Sequence, residues 1–296
     1  MEDLSNYLSK ISDEHSEHKS HLPTLIGIQK KLYEQCRVLD ISNCKNLKYV
    51  ILKKQCDYLL QSIAEMNQGI ILCLENGLYS SVESLSRIAI EHAVNLIYIV
   101  EGEEHQRAKS LLKHYVIDTK KRAERWLVYS TKHGDEKAVE KAELKLEYLK
   151  EVSDLNPSLV KKNVKGWPDA RARFRETGLE SLYHVLFSSA SDSVHSLSED
   201  IFNLTIIENF PDSSKDSGLI GFISEKTSFA FYLATNSLGL FSEAAARLAS
   251  RMEDKLVLNK IIEVAPEINL LVAEHESLMD GYHENLTSDC GVNSIN

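Results

Sequence analysis

An all-α fold, a bundle of long antiparallel helices with no significant sheet, is what this sequence predicts. Three observations carry that expectation. Apolar residues recur at intervals of three and four over stretches of twenty residues and more, the period of a helix that buries one stripe. No segment alternates apolar and polar as a half-buried strand does. Only 12 Gly and 5 Pro punctuate 296 residues, which suits few turns between long helices. Hydrophobic residues at 43% and charged residues at 26% are enough for one sizeable core. The expected organisation is a flexible segment over residues 1–21, a single helical domain over 22–280 and a disordered tail over 281–296.

The helices follow in order. The run "LPTLIGIQKKLYEQCRVLD", Leu22 to Asp40, has helical spacing, with Pro23 in the first turn where its missing N–H costs nothing. Leu47 to Asn76 carries Leu52, Leu59, Ile63, Met66, Ile70 and Leu74 at helical intervals, and Asn76-Gly77 is a C-terminal stop. Ser80 to Val100 follows at once, so the two form a helical hairpin. A helix over Glu103 to Thr131 is broken by His133-Gly134-Asp135, and Glu136 to Val152 forms a charged helix. Residues 156–169, "NPSLVKKNVKGWPD", hold two prolines and a glycine and read as an irregular loop. Further helices are expected over Leu179 to Asn209, Gly221 to Glu253 and Lys255 to Met279, the last split near Pro266.

Charge and cysteine usage narrow the function classes. A formal net charge of −10 argues against broad, nonspecific nucleic-acid binding. Two stretches run against it. Arg107 to Arg125 is strongly basic, and so is Lys161 to Arg175, which carries Lys161, Lys162, Lys165, Arg171, Arg173 and Arg175. Both read either as solvated faces or as a local surface for RNA or another anion. The N-terminus has no basic and apolar leader, and no stretch is long enough to span a bilayer, so a cytoplasmic chain with no membrane contact is expected. Five cysteines without a CxxC pair fit reduced thiols. His15, His18 and His21 fall three apart, but such steps precess by about 60° on a helix and no cysteine or second ligand cluster joins them. Neither a metal nor a cofactor is expected.

The chemistry-bearing residues lie on two segments. In "SSVESLSRIAIEHAVNLIYIV", Glu83, Arg87 and Glu91 are each four apart and share a helix face. A carboxylate–guanidinium–carboxylate ladder can neutralise itself, or open onto a cleft where Arg87 offers a forked donor to a phosphate or carboxylate. His92 lies on a packing seam with Leu78, Val82, Leu85, Ala89, Leu96 and Ile99, where it can act as acid or base near neutral pH. In "LYHVLFSSASDSVHSLSEDI", Tyr183, Phe187, Ser191 and His195 are successive i, i+4 positions. Arg87, Glu91, Ser191 and His195 are expected to line one site between the two helices, with His92 as a further catalytic candidate.

Two family resemblances arise from these residues. Arg87-Ile-Ala-Ile-Glu-His92 resembles the R-x4-6-H pattern of the HEPN superfamily, bacterial and archaeal helical domains. That resemblance implies metal-independent RNA cleavage by a homodimer acting as a toxin or antiviral effector. The layout Arg87-x3-Glu91, Asn95-x2-Tyr98, Trp167, Tyr183 and Ser191-x3-His195 resembles the helical bacterial domain of unknown function 5677 over roughly Leu47 to Asp200. It implies a fold and a site location. The expected function is therefore a HEPN-like endoribonuclease. The alternative is a noncatalytic helical module that binds a partner protein or a small anionic ligand. A dimer is expected from the HEPN likeness and from the apolar stretch Thr227 to Leu248, which is able to pack between chains.

Overall fold

The structure, a computed structural model, describes residues 12–13, 16–157, 164–188, 190 and 198–289, with side chains described to residue 277. Among these residues every regular element is helical, so the all-α bundle predicted from the periodicity is the fold. The helices are α1 (Leu22–Arg37), α2 (Val50–Glu75), α3 (Tyr79–Val100), α4 (Gln106–His133), α5 (Glu136–Leu155), α6 (Ala170–Glu176), α7 (Ser198–Glu208), α8 (Asp212–Met252), α9 (Lys255–Ile262) and α10 (Ala265–Asp289). A 3-10 turn over His18–His21 precedes α1. A π-helical turn over Tyr183–Ser188 follows a short turn at Glu180–Leu182.

Helix α3 is the centre. It packs along most of its length against α2 on one side and α8 on another. Val82, Ala89, Ala93, Leu96 and Ile97 are wholly buried, and the alanines let the neighbouring backbones come close. Each fully buried Leu, Ile or Val is worth about 1.5–3 kcal/mol, so this three-helix layer dominates the stability. The seam expected on α3 departs from the sequence reading at its ends. Leu78 is exposed because it is the cap residue rather than a helical one, and His92 is only partly buried. One polar joint crosses the layer. Asn67 donates to the Ile63 carbonyl (2.9 Å) and accepts from the Ser237 hydroxyl of α8 (3.0 Å), so its burial is compensated.

Helices α8 and α10 differ from the sequence reading for identifiable reasons. Helix α8 starts at Asp212 rather than near Gly221, entered through Pro211 and with an aspartate in its first turn. Its stretch Thr227 to Leu248, expected to be free to pack between chains, is instead consumed inside the monomer: Ala230, Phe231, Leu233, Ala234, Leu238 and Phe241 are buried against α3 and its neighbours. Helix α10 runs to Asp289, past Gly281, where the tail was expected to begin; one glycine inside a helix costs only about 1 kcal/mol. The break before α10 does fall at Glu263–Val264, leaving Pro266 in the first turn of the new helix.

Residues 18–21, expected to be flexible, are docked. His18 is buried, its Nδ1 lies 2.7 Å from the Ser228 hydroxyl of α8, and its ring centre lies 3.7 Å from that of His275 on α10. His21 closes the cluster through its ring and a contact of its Nε2 with the Glu274 carboxylate (2.9 Å). Among the described residues no group of three or more His, Cys, Asp or Glu is placed to hold a metal ion. His15 lies outside the described residues. Among them, too, no helix is long and apolar enough to cross a membrane.

Helices α4 and α5 form a hairpin. Gly134 caps α4 in the left-handed conformation (φ 68°), and Asp135 caps α5 by accepting from the Ala138 N–H (3.0 Å). The pair is tied to the body at its base. Arg107 donates to the Tyr98 carbonyl (2.8 Å), covers the Tyr98 ring and pairs with Glu176 of α6, while Lys113 donates to the Val164 carbonyl (2.6 Å).

Candidate functional site

The polar face of α3 holds Glu83, Arg87 and Glu91, and its partners come from elements far along the chain. The expected three-residue ladder is not what forms. Arg87 Nη1 reaches Glu91 Oε2 at 3.3 Å, but Glu83 pairs with Lys226 of α8 (3.2 Å). Lys226 also donates to Asp200 of α7 at 2.5 Å. Glu83 is only 3% exposed. It needs a cation closer and better fixed than a neighbour on its own helix offers, and α8 supplies one. Burial works to lower the pKa of Lys226; the Asp200 hydrogen bond and the Glu83 charge overcome it, so the amine is held charged.

Glu91 is the second hub. Its Oε1 accepts from Arg173 Nη2 at 2.8 Å while Oε2 faces Arg87, so one carboxylate is shared by two guanidiniums. Arg173 is 5% exposed, donates also to the Pro168 carbonyl (2.6 Å) and lies over the Trp167 ring. Burial pulls its pKa down, and Glu91, the largest opposing influence, holds it up; a guanidinium stays charged under that balance. Arg173 is positioned by α6, which Asp169 caps through the Ala172 N–H (2.8 Å).

Aromatic rings wall the site. Trp167 meets Tyr98 of α3 edge-on (centroids 5.2 Å apart). Phe174, Tyr183 and Phe187 form a second cluster, and the Arg87 guanidinium carbon lies over the Phe187 ring, 4.2 Å from its centroid. The π turn carries both Tyr183 and Phe187, with their rings stacked at 5.5 Å. Thus the ridge read as i, i+4 exists over its first step, but on π rather than α geometry.

The charge balance around Arg87 is uneven. Glu83, Lys226 and Asp200 sum to one negative charge; Arg87, Glu91 and Arg173 sum to one positive. The Arg87 side chain is 14% exposed, is held by one monodentate contact to Glu91, and its Nε has no hydrogen-bond partner among the described residues. A forked donor so placed is suited to an incoming oxyanion.

The remaining candidates stand as follows. His92 is partly buried with its Nδ1 unpartnered among the described residues; burial lowers its pKa, with Glu91 opposing, so the imidazole is neutral at pH 7. No hydrogen bond joins it to Arg87, and five helical steps separate the two by about 140°. Ser191, His195, Lys161 and Lys162 lie outside the described residues. Lys165 and Arg175 are exposed, Arg171 pairs with Glu180 (3.1 Å), and Arg173 faces inward to Glu91. Sequence reading placed Arg173 among surface cations and passed over Lys226; an arginine one turn beyond an aspartate cap in "WPDARARF" is the only local signal for the former.

No curated protein and no solved structure matches the chain. The model of a family of unknown function, DUF5677, matches residues 56–213, from α2 into the first turn of α8, and includes Arg87, Glu91, Tyr98, Trp167 and Arg173. With more than half its length matched, the chain belongs to the DUF5677 family.

Proposed function

We propose that the polar face of α3 is an anion-recognition site, with Arg87 receiving a phosphate or carboxylate group. The observation that carries this reading is the sharing of Glu91 between Arg87 and Arg173, which leaves the more exposed guanidinium, over the Phe187 ring, with its Nε unpartnered among the described residues. Arg173 acts as the positioning residue: it fixes Glu91, and Glu91 orients Arg87. This is a binding module for a small anionic ligand or for an acidic group of a partner protein. The test is a thermal-shift and calorimetric titration of the full chain with inorganic phosphate, nucleoside monophosphates and dicarboxylates. Saturable binding lost in Arg87→Gln supports the reading; identical titrations for both proteins reject it.

A second reading is favoured by His92. A partly buried imidazole held neutral, five residues after an arginine, fits the HEPN-like pattern of a metal-independent endoribonuclease acting as a toxin or antiviral effector, with His195 the alternative base. Arg87 would stabilise the pentavalent phosphate and His92 would take the 2′-hydroxyl proton. With 140° between Arg87 and His92, that chemistry needs the histidine of a second copy, so a homodimer is part of the reading. Incubation with total RNA in the presence of a chelator tests it: cleavage abolished by both Arg87→Gln and His92→Ala supports an enzyme, and intact RNA leaves the binding module.

A further inference from the structure

The α4–α5 hairpin has two chemically different faces. Its buried seam is made of Val116, Thr119, Ala123 and Ser130 on α4 and Ala142 and Leu149 on α5, and α5 finds its packing on α4. At 100° per residue, Tyr115, Trp126 and Tyr129 fall on one side of the α4 seam and Tyr148 on the corresponding side of the α5 seam. Because the two helices are right-handed and antiparallel, those sides are one face. All four rings are exposed, at 48%, 41%, 62% and 55%. Arg122, Arg125, Lys137, Lys141 and Lys145 share this face with them. Asp118 lies there too, paired to Arg122 at 3.0 Å, and Glu151 falls at its outer edge. The opposite face carries Glu124, Glu136, Glu143, Glu147 and Asp154, with Lys113, Lys120 and Lys150 among them; Lys113 donates to the Val164 carbonyl and Lys120 pairs with Glu124.

So a chain of net charge −10 has gathered cations and aromatic rings on one side of a projecting hairpin. The rings are already engaged with polar neighbours in stacking geometry. Tyr129 stacks on His133 (4.1 Å, 27°), and Lys145 lies over Tyr148. The same face of a second copy is excluded as the occupant by charge, since it would bring like cations together. The occupant must be anionic and must offer flat apolar surface to successive rings.

We infer that this face of the α4–α5 hairpin binds a single-stranded nucleic acid, its bases stacking on Trp126, Tyr129 and Tyr148 and its phosphates meeting Arg122, Arg125, Lys137 and Lys141. Stacking platforms with interleaved cations hold single strands without reading sequence, and a duplex, whose bases are already stacked, cannot use them. The face is separate from Arg87, so the inference stands whether or not that site binds an anion.

The test is fluorescence anisotropy of a labelled twelve-nucleotide single strand, as RNA and as DNA, and of the matching duplex, with the full chain. The expected result is saturable binding of a single strand that weakens steeply as salt is raised from 50 to 200 mM, with the duplex bound at least ten-fold more weakly. Trp126→Ala and Tyr129→Ala each weaken it roughly ten-fold, and Lys137→Glu with Lys141→Glu weakens it further. Lys260→Ala, which removes an exposed cation on α9, leaves it unchanged. These positions are exposed, so unaltered melting temperatures confirm that the variants fold. Three results overturn the inference: no binding at 50 μM protein in 50 mM salt; binding that the hairpin variants retain; or self-association in sedimentation that the hairpin variants remove, which makes the face a protein contact.

Discussion

Glu91 and Arg173 stand 82 positions apart in sequence and 2.8 Å apart in space, and their contact joins the central helix to the short helix after the loop. Because Arg173 is almost wholly buried, removing its partner leaves an uncompensated charge in a low-dielectric setting. Arg173→Met leaves only the more exposed Glu91 and is expected to cost about 2–3 kcal/mol, whereas Glu91→Leu strands the buried guanidinium and costs about 3–5 kcal/mol. Urea denaturation of both variants checks the order; equal losses contradict it.

Lys226 ties α3 to α7 through Glu83 and Asp200. Lys226→Met is expected to destabilise by about 3 kcal/mol, because it withdraws the cation from a carboxylate that is 3% exposed. Asp200→Asn, at the more exposed end, is expected to cost less than about 1 kcal/mol. Thermal melts of the two variants give the comparison.

The fold resists acid less well for having His92. Burial lowers its folded pKa below the ordinary value, so the unfolded chain takes up the proton first. Stability therefore falls as pH drops below about 6.5, the pKa of a free histidine. Glu225 works in the opposite sense: burial, then the Glu199 charge, raises its pKa, and its contribution is lost as pH climbs above the ordinary carboxylate value. In His92→Gln, melting temperature between pH 6.5 and 5.5 is expected to fall less steeply than in the wild type; parallel slopes would exclude His92 as a source.

His275 sits at the centre of the contact that docks residues 18–21, with the rings of His18, His21 and Tyr232 around it. His275→Ala is expected to cost about 2–3 kcal/mol through the lost packing. Amide exchange at residues 18–21 should quicken far more than in α2; uniform change across the chain argues that the segment is not held there.

Much of the fold was legible because periodicity reports which helix faces are buried. It gave α2, α3 and the α4–α5 hairpin within a few residues, together with the break before Pro266. The site was legible only in part. Arg87 and Glu91 lie four apart on one helix, a relation sequence encodes directly. Their partners Arg173 and Lys226 come from other elements, and spacing along a chain says nothing about what tertiary packing brings alongside. The π turn at Tyr183–Ser188 escaped for a related reason: i, i+4 spacing does not distinguish an α turn from a wider one.

The most direct test of the account is to observe the Arg87 guanidinium while an anion is added. In a 15N-labelled protein, the Arg87 Nε–H resonance, assigned by its loss in Arg87→Gln, is expected to shift saturably on titration with inorganic phosphate or a nucleoside monophosphate, while that of the buried Arg173 moves little. An Arg87 signal that stays fixed to 20 mM ligand, in a folded protein, would contradict the assignment of this face as an anion site.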